Sequence, residues 1–146
     1  MKIEIKIDDN ATETKVIVVT PEVTESVQAL VKRLSEEQPR MIAGFSEDTV
    51  RLLGQSEIFR IYAAKGKVFA VTEKGEYTLR LRLYELEERL DKKQFVRISN
   101  SEIVNLGKVT GFDLSFTGTI RVSLTNGTST FVSRRYVSKI KTTLGL

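Results

Sequence analysis

Cysteine and histidine are both absent from the 146 residues. Without cysteine the chain can hold no disulfide, thiolate metal site or cysteine nucleophile. Without histidine as well, most zinc sites and the common nucleophile–base pairs are out of reach. An enzyme built from what remains would rest on Asp, Glu, Lys or Tyr. The carboxylates, however, lie in polar runs such as Glu85-Leu86-Glu87-Glu88-Arg89, which reads as a solvated helix face. Also missing is any stretch approaching the roughly 20 apolar residues that cross a bilayer. The N-terminal Met-Lys-Ile-Glu-Ile-Lys alternates charge with apolar residues instead of forming a secretory apolar region. These absences predict a cytoplasmic protein away from the membrane, with no catalytic residues, no metal and no cofactor.

What is present suffices for a core: 40% of residues are hydrophobic, with seven Phe and four Tyr. The length suits one ordinary domain, with or without a short appendage. The net charge is only +4, but its distribution is uneven. Residues 1–41 hold six Lys/Arg against eight Asp/Glu, and residues 42–90 hold eight of each. Residues 91–146 hold nine Lys/Arg against three Asp/Glu. A basic C-terminal third suggests a polyanionic partner for that part.

The apolar pattern divides the chain in two. Lys2–Ile7 sets Ile3, Ile5 and Ile7 against charged residues, a period-two strand, and Lys15–Val19 reads as a second. Thr20-Pro21-Glu22 reads as the start of a helix whose apolar face carries Val23, Val27, Leu30, Val31 and Leu34 and which stops before Pro39. Residues 1–40 are thus expected to form a small β/α unit with one apolar face that needs a partner, a dimerisation or regulatory element. Met41–Gly44 reads as a linker. From residue 45 to 146 the chain reads as short antiparallel strands broken by turns, with short helices at Leu83–Leu90 and Arg134–Leu144. Asn126-Gly127 is the strongest hairpin signal. No repeat, low-complexity tract or helix-turn-helix pattern is evident. If this part reads DNA, it does so with loops projecting from a sheet.

Three places carry residues suited to that task. Ser133 stands at an N-cap position, and Arg134 and Arg135 fall in the first turn of the last helix. Cations there are disfavoured by about 0.3–1 kcal/mol, because the helix N-terminus is itself partly positive. A hydroxyl, amide N–H groups and two guanidinium groups at one spot suit phosphate or the acceptor edge of guanine. Arg97-Ile98-Ser99-Asn100-Ser101 interrupts a strand with small polar side chains. Asn100 can bond adenine twice, and Ser101 can reach phosphate or either base type. Lys65-Gly66-Lys67 makes a basic turn at a hairpin tip.

Phe95-Val96-Arg97-Ile98-Ser99-Asn100-Ser101-Glu102-Ile103-Val104-Asn105-Leu106 resembles the signature of LytTR-type DNA-binding domains. Leu124-Thr125-Asn126-Gly127 and Val132-Ser133-Arg134-Arg135-Tyr136, followed by Ile140 and Leu144, continue the same pattern. The resemblance covers roughly residues 45–146. It implies a mostly β fold of layered antiparallel sheets that inserts loops into successive major grooves of promoter DNA, usually as pairs on repeated sites. It also implies that Asn100 and Arg135 read bases, and that the Lys65–Lys67 turn is a third contact loop. Ser99 and Gly66 stand where the family often has His or another base-reading side chain, so the third loop is expected to supply phosphate contacts. Arg134 and Arg97 are expected to join it in that role, and Ser133 and Ser101 to contact the nucleic acid. Many relatives carry a phosphoacceptor receiver domain; residues 1–40 are too short for one, so phosphorylation is not the expected switch. The expected partners are double-stranded promoter DNA and a second copy of the chain. The competing expectations are a β-rich RNA-binding module, which would need stacking aromatics on its sheet, and a protein-interaction domain whose basic loops only solubilise it.

Overall fold

Thr24, rather than Thr20, starts the first helix, α1 (Glu25–Ser35). The Thr24 hydroxyl accepts the Val27 N–H at 3.3 Å, as a cap should, while Thr20 donates its own hydroxyl to the Glu22 carbonyl. The computed structural model describes residues 1–35 and 41–146. The expected stop before Pro39 therefore lies outside the described residues. The chain divides into two compact units, Met1–Gln38 and Pro39–Leu146.

In the first unit the expected strands at Lys2–Ile7 and Lys15–Val19 are not formed, and among the described residues its only regular element is α1. The turn between them is present: Asp8 accepts the Ala11 N–H through its carbonyl and the Asn10 N–H through Oδ1, both at 3.0 Å. Alternation prepares a strand, but a ladder needs a partner backbone, and a lone two-stranded ribbon is marginal in water.

The second unit is mainly antiparallel β, as the sequence predicts. Its strands are β1 (Ile42–Ser46), β2 (Thr49–Leu53), β3 (Ile58–Ala64), β4 (Lys67–Thr72), β5 (Gly75–Leu79), β6 (Phe95–Ser99), β7 (Glu102–Asn105), β8 (Val109–Asp113), β9 (Ile120–Leu124) and β10 (Ser129–Val132). Its helices are α2 (Leu83–Arg89) and α3 (Arg134–Leu144). Seven strands form one sheet in the order β2-β1-β5-β4-β3-β7-β6, and three form another in the order β10-β9-β8. All pairings are antiparallel.

The segment read as a linker is β1, with Ile42 fully buried. Gly44 suggested flexibility, but its role is close packing. A Cβ there would lie 2.8 Å from Leu53 Cδ1 and 2.9 Å from Tyr77 Cβ. This segment is thus a strand of the seven-stranded sheet.

The large sheet is covered on both faces. Leu83 and Leu86 of α2 bury against Ile42, Leu53, Ile61, Ala70 and Ile103 on one side. On the other, Phe59, Val96, Ile98 and Val104 pack on Ile120, Val122 and Val132 of the small sheet and Ile140 of α3. Burial on two faces explains why β3 and β6 read as nearly unbroken apolar runs. A register shift between Ile58 and Arg60 turns Ile58 and Ile61 to one core and Phe59 to the other. Buried Asn105 ties these layers, donating to the Ile58 carbonyl at 2.8 Å and accepting the Gly107 N–H at 2.9 Å.

Candidate nucleic-acid interface

The β3–β4 hairpin turns through Lys65 and Gly66, whose φ values are 53° and 74°. Two positive φ values in a two-residue loop match the type I′ twist of a tight hairpin, and Gly66 meets that demand without strain. The β6–β7 turn is built differently. Asn100 and Ser101 join Ser99 to Glu102, and neither residue has a positive φ. Such a turn would splay its strands; a register shift between Arg97 and Ser99 accompanies it. Bulges of this kind re-aim side chains at functional edges. The α3 N-terminus is the third segment, and there Ser133 occupies the N-cap position as expected. Its hydroxyl makes no capping bond, because the backbone does the work: Ser133 N–H donates to the Ile98 carbonyl, and its carbonyl accepts from Tyr136 N–H, both at 2.9 Å.

Short contacts join the three segments. Ala63 N–H donates to the Ser101 carbonyl at 2.8 Å, and Tyr62 faces Glu102 in the β3–β7 ladder. The Lys65 tip therefore projects from the same end of the sheet as the Asn100 turn, about 7 Å further along at one strand rise per residue. The Ser133–Ile98 bond brings in α3, and the Tyr136 hydroxyl donates to Asn100 Oδ1 at 3.2 Å. Asn100, Ser101, Lys65, Lys67, Arg134 and Arg135 are all exposed. Arg134 lies along the β8–β9 loop, its Nε 3.1 Å from where a Cβ on Gly118 would stand.

Arg97 differs from the other cations. Its Nε donates to the Ser99 carbonyl at 2.7 Å, and its two terminal nitrogens contact the Asn100 carbonyl and the Glu87 carboxylate. The side chain is 15% exposed and its guanidinium is engaged on three sides within the protein. Glu87, read from sequence as part of a solvated face, is therefore its counter-ion. The rest of that run behaves as expected for an exposed helix: Glu85 caps the Arg82 N–H, and Glu88 pairs with Lys92. Beneath the Asn100 turn sits Glu102, whose Oε1 accepts the Thr130 hydroxyl at 3.0 Å and so joins the two sheets. Arg60 comes within 3.4 Å of Oε2 without a hydrogen bond. Burial pushes the Glu102 carboxyl above its ordinary range, against the downward pull of Thr130 and Arg60.

Tyr136 and Glu87 are the partners that sequence reasoning did not single out. A tyrosine directly after an arginine pair at a helix start was the available signal for the first. For the second there was none, because its partner is ten residues away on another element. Not every aromatic enters the core: Phe116 and Phe131 are 40% and 48% exposed. They pack edge to face against each other at 5.5 Å. Among the described residues no cluster of Asp or Glu could hold a metal, and no helix is long and apolar enough to cross a membrane.

An antiparallel β unit that gathers lysines, arginines and an oriented amide at one end has the make-up of a nucleic-acid-binding domain. Among the described residues no two helices follow each other, so it is not a helix-turn-helix. The chain belongs to the LytTr DNA-binding domain family, whose model matches residues 48–145. An HTH-type transcriptional regulator of Staphylococcus aureus strain NCTC 8325, described as uncharacterised, is 31% identical over all of this chain and 99% of its own length. A regulator of the same description from strain MRSA252 is 30% identical over the same shares. The LytTr DNA-binding domain of a methyl-accepting/DNA response regulator from Bacillus cereus superposes with a TM-score of 0.71 at 25% identity. That likeness covers 73% of this chain and 98% of the other.

Proposed function

We propose that the chain regulates transcription, without catalysis or cofactor, by reading promoter DNA in the cytoplasm with loops from one end of its β unit. Asn100 and Arg135 contact base edges in the major groove, where Asn pairs with adenine and Arg with guanine. Ser101, Ser133, Arg134, Lys65 and Lys67 hold phosphates around them. Arg97, enclosed by Glu87 and the turn it serves, works from behind as a positioning residue. The observation that carries this reading is the Tyr136–Asn100 hydrogen bond, which couples the Asn100 turn to the helix start that bears Arg135. Residues 1–40 pair two copies, matching a twofold protein to a repeated site.

Selection of duplexes from a random pool by the full chain tests the proposal. A recurring motif in two spaced copies, bound with a steep salt dependence, is the expected result. Enrichment of no duplex sequence would sink it. The exposed Phe116–Phe131 pair does not favour RNA as the ligand, because the two rings engage each other instead of offering open stacking faces.

A further inference from the structure

Lys2, Glu4, Lys6 and Asp8 alternate with Ile3, Ile5 and Ile7, and the three isoleucines are 80%, 90% and 86% exposed. Three β-branched residues at a spacing of two would share one side of a strand, and among the described residues no strand pairs with this segment. Their alternation of charge also restricts who the partner strand can be. Place a second copy of the segment antiparallel to the first, with Ile5 opposite Ile5 on the twofold axis. Ile3 then faces Ile7, Glu4 faces Lys6, and Lys2 faces Asp8, so every isoleucine meets an isoleucine and every charge its opposite.

The neighbouring antiparallel registers fail. Sliding one way sets Lys2 against Lys6 and Glu4 against itself; sliding the other way sets Lys6 against itself and Glu4 against Asp8. A one-residue slip puts isoleucines opposite charges. Parallel pairing in register stacks each charge on its own copy. Like charges directly opposite destabilise a ladder and opposite charges support it. We infer that Lys2–Asp8 is the strand through which two copies of this chain pair, antiparallel about Ile5. This rests on the reading of residues 1–40 as the dimerisation unit and specifies its contact. A two-stranded ribbon needs a further layer to persist. Helix α1, with Leu34 exposed, belongs to the same unit and is the element available to supply one.

The absence of cysteine makes the test direct, because an introduced thiol reports alone. In this register the two Ile5 Cα atoms lie about 4.5–5.5 Å apart, within disulfide range. The two Ile3 positions are about 13 Å apart, four residues along the strand, and cannot be bridged. Full-length Ile5→Cys should oxidise to a covalent dimer. Ile3→Cys and Ile7→Cys should each stay uncoupled alone and cross-link when mixed. Glu4→Lys should weaken dimerisation severalfold, and adding Lys6→Glu should restore it. Cross-linking of Ile3→Cys alone as readily as Ile5→Cys would overturn the register. If the unmodified chain sediments as a dimer but no pair cross-links, the strand contact is wrong and the dimer reading survives. A monomer at all concentrations removes both.

Discussion

The Tyr136 hydroxyl donates to Asn100 Oδ1 at 3.2 Å, from the first turn of α3 to the β6–β7 turn. A primary amide is pseudo-symmetric, and a flip exchanges its donor for its acceptor. The hydroxyl bond to Oδ1 restrains the amide in place while leaving the oxygen a second lone pair and both N–H donors. Adenine in the major groove asks for one acceptor and one donor side by side.

Tyr136→Phe should therefore lower discrimination at the base pair read by Asn100 by about 1 kcal/mol, the net worth of one such bond. Phosphate contacts are untouched, so the salt slope should stay as in the wild type. Binding to single-base-pair variants of the selected site measures both quantities. Equal loss on every variant would mean that Tyr136 serves only to pack α3.

Arg97 separates positioning from phosphate binding. If it holds the turn, Arg97→Lys should lose specific affinity, because a single ammonium cannot replace a fork that reaches the Ser99 and Asn100 carbonyls and Glu87 together. Its salt slope should match the wild type. Loss of a phosphate contact would instead lower the slope by about one unit. Glu87→Gln should reproduce the Arg97→Lys pattern although it removes a negative charge. Tighter binding by Glu87→Gln would show that Arg97 belongs with the phosphate ligands.

Gly44→Ala should destabilise the second unit by about 1–3 kcal/mol, the usual cost of forcing atoms into a packed site. The new methyl would press on Leu53 and the Tyr77 Cβ, neither of which is a loose side-chain end. Urea unfolding of the full chain followed by near-ultraviolet signals of the tyrosines reports it. An unchanged midpoint would mean that Leu53 and Tyr77 yield to the methyl without cost, and that close packing does not require glycine at this position.

How far the sequence could be read follows from the range of the interactions involved. Turns were legible because their causes are local: Gly66 and Gly127 both take the positive φ that their hairpins require. The helices α2 and α3 were legible for the same reason. The N-terminal strands were not, since a ladder depends on a partner that the segment does not carry. Gly44 shows the reverse error, with a residue that reads locally as freedom but is demanded by Leu53 and Tyr77 from other strands. At the candidate site, the side chains that could meet DNA were legible as residue types. What Arg97 touches was not, because Glu87 comes from a helix on another part of the chain.

Glu102 gives the site a pH dependence whose sign is set by burial. Its folded-state pKa is raised above the ordinary 4.5, so the folded chain binds the proton more tightly than the unfolded one. The stability this contributes is full below that ordinary value and is lost as pH rises through the folded pKa. Glu102→Gln removes the titration and keeps an oxygen to accept from Thr130. The unfolding free energy of the wild type minus that of the variant should fall as pH rises above about 4.5 and level off once the folded-state carboxyl is ionised. Urea titrations across this range measure it. A difference that stays flat would mean Glu102 ionises like an exposed carboxyl, and one that rises would mean Arg60 outweighs burial.

Arg135 and Lys67 together test whether base reading and charge attraction reside on different residues. Arg135 leaves a helix N-terminus, where a cation is disfavoured unless an acceptor lies close, and its fork matches the two acceptors of guanine. Lys67 starts β4 beside a hairpin tip, and an ammonium carries charge without a planar pattern. Arg135→Ala should cost about 1–3 kcal/mol on the selected duplex and much less on a scrambled one, relaxing specificity at one base pair. Lys67→Ala should weaken binding to both duplexes alike and lower the salt slope by about one unit. Each variant is titrated against both duplexes across a salt series, so that affinity ratio and slope come from one data set. If Arg135→Ala weakens both duplexes equally and lowers the slope, Arg135 is a phosphate ligand. The base-reading role would then fall to Asn100 alone, whose amide pairs with adenine rather than guanine, and a guanine contact at the α3 end of the site would have to be given up.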